Sequence, residues 1–304
     1  MSSEVADLDG RVVIVTGAGG GLGRAHALAF AAHGARVVVN DLGVERDGTP
    51  STSDAANDVV AEIVADGGVA VANAADVADW DQAAALVHQA IDTYGGLDTL
   101  VCNAGFLRDR MLAGMSEDEW DSVTRVHLKG HFAPARHAIE YWRDRAKAGE
   151  PVAARVVNTS SGAGLAGSIG QGNYAAAKAG IALLTIQQAA EWGRYGVLAN
   201  AIAPDARTRM TEGIFYSAEI PEGFDEKAPE NVSPLVVWLG SAACDVTGRT
   251  FENTGDQLNV CDGWQKGPVV SVGGRRMTVA EAGELVHRSI AGERAPQPVH
   301  GVWD

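Results

Sequence analysis

"RVVIVTGAGGGLGRAHALAFAAHG", residues 11–34, reads as a strand, a turn and a helix in succession. Val12 to Val15 form an unbroken apolar, β-branched run, as a strand covered on both faces of a parallel sheet requires. Beyond the turn, Leu22, Ala25, Leu28, Ala29 and Ala32 recur at helical spacing and share one face, with Gly34 as the stop. Gly17, Gly20, Gly21 and Gly23 lie between or just inside these two elements. Glycines there let the backbone approach a pyrophosphate, while the helix N-terminus offers free N–H groups and a positive dipole end. Glycine-rich turns also serve mere packing, so the motif alone leaves both readings open. Its place between a strand and a helix is what phosphate binding demands.

The next strand, "ARVVVND" (35–41), ends in Asp41, 20 positions beyond Gly21. A carboxylate at that point accepts hydrogen bonds from an adenosine ribose and repels a 2′-phosphate, which favours NAD over NADP. Without the glycine turn it would be an ordinary turn aspartate before Leu42-Gly43.

The alternation continues. Residues 54–66 have helical spacing and stop at Gly67-Gly68, and "VAVANAADV" (69–77) is a strand with its exit. Asp79 to Gln82 resembles a capping box for a helix reaching Tyr94. "LDTLVCNAG" (97–105) is a fourth strand, and Ser116 to Glu119 opens a long helix disturbed near Pro134. "ARVVNTSS" (154–161) and "GVLANAIAP" (196–204) are two more strands around a helix over about 173–193. "SPLVVWLGS" (233–241) reads as a helix with Ser233 at the N-cap and Pro234 at its first position. Alternating β and α units imply an α/β fold: a doubly wound, Rossmann-type parallel sheet with helices on both faces. Outside the pattern are the polar loop 42–54 and a tail, 261–304, with one helix over 278–290 opened by Thr278-x-x-Glu281. That helix is expected to cover the sheet or reach a neighbouring subunit.

Composition narrows the class. Hydrophobic residues make up 46% and charged residues 21% of the 304, as in soluble globular proteins. The acidic, polar N-terminus "MSSEVADLDG" has no apolar leader region, and no run approaches the roughly 20 apolar residues of a membrane helix. Cys102, Cys244 and Cys261 are scattered and odd in number, so neither a disulfide framework nor a metal site is expected, and a cytoplasmic setting follows. The net charge of -15 argues against a nucleic-acid partner.

"GNYAAAKAG" (172–180) puts Tyr174 and Lys178 four residues apart on one helical face. An ammonium beside a phenol stabilises phenolate and lowers its pKa from about 10, as suits an acid/base that exchanges a proton with an alcohol or ketone. Alone, such a pair is as readily a solvated face. "NTSSGAG" (158–164) shifts the weighing, because ligands sit at the carboxyl ends of strands in an open parallel sheet. Ser161 falls there, 13 residues before Tyr174, and Ser160 beside it is read as a structural hydroxyl.

Together these stretches resemble the classical short-chain dehydrogenases/reductases over roughly residues 8–256. The family's TGxxxGxG corresponds to Thr16-Gly17…Gly21-x-Gly23, its NNAG to Cys102-Asn103-Ala104-Gly105, and its Ser–x12–Tyr–x3–Lys to Ser161, Tyr174 and Lys178. The resemblance implies Tyr174 as acid/base, Ser161 as the residue orienting the carbonyl, and Lys178 as partner of both the tyrosine and the nicotinamide ribose. It further implies cofactor contacts from Gly17, Gly20, Gly21, Leu22 and Gly23, from Asp76 and Val77, from Asn103 to Gly105, and from Pro204 and Thr208. It also implies a dehydrogenase unit over residues 1–260 with a substrate lid at about 205–230, followed by the 261–304 extension, and assembly as a homodimer or homotetramer. Three departures stand out. Cys102 replaces an asparagine, His127 takes the place of the family's catalytic asparagine, and Asp205 follows Pro204 where glycine is usual. His127 is thereby a candidate for the proton relay, with a buried structural histidine as the alternative.

Within the family, "AGFLRDRM", "VHLKGHF", "GQGNYAAAKAG" and "RTRMTE" look like the (3R)-hydroxyacyl-CoA dehydrogenase domain of peroxisomal multifunctional enzymes, also classed as a 17β-hydroxysteroid dehydrogenase. The expectation is NAD-dependent oxidation of an acyl-CoA or sterol-derived alcohol, with no metal. Arg108, Arg110, Arg207 and Arg209 can meet CoA phosphates or pair with acidic groups, the second being favoured for any single one. Phe215, Tyr216 and Phe224 can line an apolar pocket or pack the lid shut. The competing readings are an NADPH-dependent 3-ketoacyl thioester reductase, against which Asp41 speaks, and an inactive nucleotide-binding scaffold.

Overall fold

The computed structural model describes residues 8–44, 49, 54–208, 221–261, 263–267, 269–291 and 299. Eight strands form one sheet: β1 (Val12–Thr16), β2 (Arg36–Asn40), β3 (Val69–Asn73), β4 (Thr99–Cys102), β5 (Ala154–Thr159), β6 (Val197–Asp205), β7 (Thr250–Thr254) and β8 (Gln257–Cys261). Their order is β3-β2-β1-β4-β5-β6-β7-β8. Neighbours are parallel up to β7, and β8 returns antiparallel. The strand order reverses between β1 and β4, and ligands of doubly wound sheets bind at such a point.

The helices are α1 (Gly21–Ala32), α2 (Ala55–Ala65), α3 (Trp80–Tyr94), α4 (Glu117–Thr124), α5 (Gly130–Lys147), α6 (Gly162–Ala166), α7 (Gly172–Trp192), α8 (Ser233–Gly240) and α9 (Val279–Ile290). Side-chain alternation along the strands splits the core into two layers. Val13, Val15, Val37, Val39, Val101 and Val157 pack with Phe30 of α1, Ile63 of α2 and Val236 of α8. Val12, Ile14, Val38, Leu100 and Val156 pack with Leu86 of α3 and Trp142 of α5. The Trp142 indole N–H donates to the Leu97 carbonyl at 2.6 Å, so its one polar atom is satisfied inside the layer.

Several elements depart from the sequence reading. Ala25 is buried as expected, but the buried stripe of α1 also runs through Gly23, His26, Ala27, Phe30 and Ala31, whereas Leu22, Leu28 and Ala29 are only partly buried and Ala32 is exposed. A helix this rich in alanine has no single apolar face to reveal its phase. Ser233 is not an N-cap. It already has helical φ and ψ after a 3₁₀ turn at Pro229–Val232, and its hydroxyl hydrogen-bonds His26 Nδ1 at 2.9 Å, joining α8 to α1. Asp79 caps α3 through the Gln82 N–H, but Gln82 turns its carbonyl oxygen to the Asp76 N–H, so the reciprocal half of the box is missing.

The long helix after Ser116 is broken at Arg125–Lys129, where one π-helical turn separates α4 from α5, and Pro134 is absorbed inside α5. The hairpin β7–β8 was not legible, because "TFENT" holds a single apolar residue among polar ones and "QLNVC" alternates over only five residues, the two joining through Gly255 at φ +55°. Helix α9 has its capping box at Thr278 and Glu281 but buries only Leu285, leaving Val279, Val286 and Ile290 exposed. Among the described residues no helix is long and apolar enough to cross a membrane.

Candidate active site

Strands β1, β2, β4, β5 and β6 end around one cavity of about 580 Å³. Its first wall is the turn after β1. Gly17 has φ +63°, and a Cβ there would lie 2.7 Å from Ala104 Cα. Gly20 and Gly21 line the cavity with Leu22. Gly23 does not; a Cβ on it would meet the Gly17 carbonyl at 2.1 Å, so this glycine lets the helix sit against the turn. No side chain caps α1, and no acidic residue stands in its first turn. Its N–H groups and dipole are therefore left to an anion, which is what a pyrophosphate requires.

Asp41 crosses from the end of β2. Its Oδ2 accepts the Gly19 N–H and its Oδ1 the Gly43 N–H, both at 2.8 Å, so the carboxylate is held at the rim of the glycine turn. Asp76 and Val77 add the wall beyond β3, with Asp76 paired to Arg125 at 2.6 Å. Asn103 is a brace: its amide donates to the carbonyls of Thr16 and Gly17, while Thr16 Oγ1 accepts the N–H groups of Asn103 and Ala104. Ala104, Gly105, Pro204 and Thr208 complete the lining.

The reactive side chains enter from β5 and α7. Ser161 follows β5, caps the short α6 through the Ala163 N–H, and its hydroxyl hydrogen-bonds the Tyr174 phenol. Lys178, one turn along α7, places Nζ 5.4 Å from the Tyr174 ring centroid and donates to the Thr159 carbonyl at 2.6 Å. The expected lowering of the phenol pKa does not appear. Burial pushes Tyr174 up to about 12 against the downward pull of the Ser161 hydrogen bond, and the charge of Asp109 adds to the rise. Burial also brings Lys178 down to about 7. Desolvation is the largest cause for both, and each group is driven toward its neutral form. Ser160 is the structural hydroxyl, donating to the Lys178 carbonyl at 2.8 Å.

His127 lies in the π turn, fully enclosed. Its Nε2 is 2.8 Å from the Phe106 carbonyl, and its ring stands edge-on to Tyr174 with centroids 5.0 Å apart. Burial, then the charge of Lys178, hold it well below the usual histidine range, so it is neutral. Gly105 leaves it room, since a Cβ there would lie 2.0 Å from His127 Cε1. Cys102 is buried, and burial pushes its thiol up to about 12.

Sequence reasoning passed over Gln171 and Asn173. Asn173 is fully buried; its amide donates to the carbonyls of Arg108 and Glu119 and its oxygen accepts the Tyr174 N–H, fixing the start of α7. Gln171 lines the cavity and donates to Asp109 at 3.0 Å. Both stand beside Tyr174 in "GQGNY", where a polar residue at a buried position was the available signal. The arginines near the entrance are engaged: Arg108 with Asp118, Arg110 with Glu119, and Arg207 in a two-pronged pair with Asp225. Phe224 is exposed and does not line this cavity, while Arg209, Phe215 and Tyr216 lie outside the described residues.

A reversing parallel sheet, an uncapped glycine turn and a Ser–Tyr–Lys cluster at the strand ends define a dinucleotide-binding α/β oxidoreductase. The sequence profile of the family described as short chain dehydrogenase matches residues 11–217, and the chain belongs to that family. It is 48% identical over 264 residues to the hydroxyacyl-CoA dehydrogenase ChsB1 of Mycobacterium tuberculosis, covering 85% of this chain and 82% of that one. It is 46% identical over 245 residues to the mouse peroxisomal multifunctional enzyme type 2, covering 80% of this chain but only 31% of that longer protein. Among solved structures, a short chain dehydrogenase from Mycobacterium avium superposes with a TM-score of 0.88 at 61% identity, over 97% of this chain and all of that one. The family's reactions use a nicotinamide dinucleotide, and the glycine turn fits one.

Proposed function

We propose that the protein is an NAD-dependent dehydrogenase interconverting a secondary alcohol and a ketone on a 3-hydroxyacyl-CoA or sterol-derived substrate. The observation that carries the chemistry is the meeting of Ser161, Tyr174 and Lys178 in the cavity that also holds the glycine turn. Asp41, held against Gly19, supports NAD, since a 2′-phosphate would meet its charge. Similarity to an enzyme named for hydroxyacyl-CoA supports the substrate class.

In the oxidative direction Tyr174 takes the proton of the substrate hydroxyl while Ser161 hydrogen-bonds the same oxygen. The hydrogen bond from Ser161 favours the phenolate against the cost of burial, and Lys178, with Nζ 5.4 Å from the ring centroid, stands where its charge would add to that effect when it is protonated. A dinucleotide would supply the two-electron acceptor when bound; Gly17, Gly20, Gly21, Leu22 and Asp41 would hold its adenosine side, and Pro204 and Thr208 its nicotinamide side. Gly23 contributes by packing. Exposed Leu128, Phe132 and Leu183 support a homodimer or homotetramer.

The test is an assay of 3-hydroxyacyl-CoAs and free hydroxysteroids with NAD and NADP. Turnover of the thioesters with NAD is expected, and a strong preference for the phosphorylated cofactor would overturn the assignment of Asp41. Tyr174→Phe should lose about two to four decades of activity while binding NADH unchanged by fluorescence. Equal turnover by variant and wild type would overturn Tyr174 as the acid/base, and no turnover by the wild type on any of these substrates would return the chain to a nucleotide-binding scaffold.

A further inference from the structure

His131 on α5 is a buried imidazole that lines no part of the cavity and that the reaction above does not use. Backbone groups surround it. The Thr159 N–H, at the end of β5, donates to Nε2 at 3.4 Å, and the backbones of His127 and Cys102 also hydrogen-bond the ring. With Nε2 accepting, the proton belongs on Nδ1, the tautomer that backbone carbonyls require. The same Thr159 seats Lys178, whose Nζ donates to its carbonyl at 2.6 Å. One residue at the strand end thus carries His131 on its N–H and Lys178 on its C=O.

The titratable groups facing Lys178 are the Cys102 thiol on β4, His127 in the π turn, His131 on α5, and Tyr174 on its own helix. Those facing His131 include Lys178, whose charge adds to burial in holding the imidazole down to about 3. It therefore stays neutral beside the ammonium and does not compete for its proton.

We propose that His131 is a positioning residue for Lys178: it ties the ends of β4 and β5 to the π turn, fixes the carbonyl on which the ammonium rests, and fills space that water would otherwise take. This rests on the reading of Lys178 as part of the acid/base site. It explains why a polar ring occupies a position inside the layer where an apolar side chain would be cheaper to bury.

The experiment is an NMR titration of the lysine side chains, with Lys178 assigned by the signal lost in Lys178→Arg. The chain has five lysines, at 129, 147, 178, 227 and 266, so the spectrum is sparse. In the wild type Lys178 is expected to titrate near about 7. In His131→Ser and His131→Asn the midpoint should rise by about one unit or more as water reaches the ammonium. Should neither fold, His131→Ala, which likewise unties Thr159 and opens the space to water, is read in the same way. A midpoint unchanged in every folded variant overturns the proposal. No substrate enters the measurement, so a wrong substrate assignment leaves its result intact.

Discussion

Gly105 shows how little room the site leaves. Its hydrogen is all that separates β4's exit from the His127 ring, and a methyl group there would sit 2.0 Å from Cε1. Gly105→Ala must therefore displace the imidazole, and with it the edge-on contact to Tyr174. We expect a loss of about 1–3 kcal/mol in urea denaturation, as for other overpacked cores, together with reduced turnover. Gly105→Ala combined with His127→Ala should recover part of that loss. Strictly additive single effects in the double mutant would show that the two residues do not collide. The residues at strand ends were legible because a parallel sheet delivers its carboxyl ends to one place. Asn173 and His131 were not, because their partners are backbone groups of segments distant in sequence, and no spacing rule links them.

At the scale of elements, caps and β-branched runs marked most boundaries, since each is a local solution to unsatisfied N–H groups or to burial on two faces. Where local signals are silent the elements were missed. The alanines of α1 hide its phase, the polar composition of β7 and the shortness of β8 imitate a loop, and nothing in "RVHLK" announces a π turn. Helix α4 gives the clearest local test. Ser116 accepts the Glu119 N–H and Glu119 accepts the Ser116 N–H, with Arg110 also on the Glu119 carboxylate. Ser116→Ala should cost about 1 kcal/mol in urea denaturation. Glu119→Ala should cost somewhat more, because it removes the ion pair too; an equal loss would mean that the exposed Arg110 contributes nothing.

At the scale of the whole molecule, three imidazoles enclosed among the described residues shape the response to acid. His26 and His131 are held down to about 3 by burial, and His127 also lies well below 6.5. The unfolded chain takes up these protons near its ordinary value of 6.5 while the folded chain refuses them. Their contribution is therefore complete above that value and is lost as pH falls from 6.5 toward 3. By pH 5 His26 and His131 each cost about 2 kcal/mol, and His127 acts in the same direction. Lys178 acts in the opposite range: its folded value of about 7 against 10.5 unfolded makes stability climb with pH between them. The urea midpoint should thus fall between pH 7 and 5, before most carboxylates are protonated, and a flat midpoint there would contradict this account. The strand order also has a meaning in time. As the chain leaves the ribosome, β2 can settle on one side of β1, and β3 beside it, while the other side of β1 waits for residues 99–102. Until that segment emerges, one edge of the future central strand is open to any passing extended chain. The nascent half-protein is therefore the stage at which a chaperone has most to protect, and cross-linking of stalled chains ending before and after β4 would locate it.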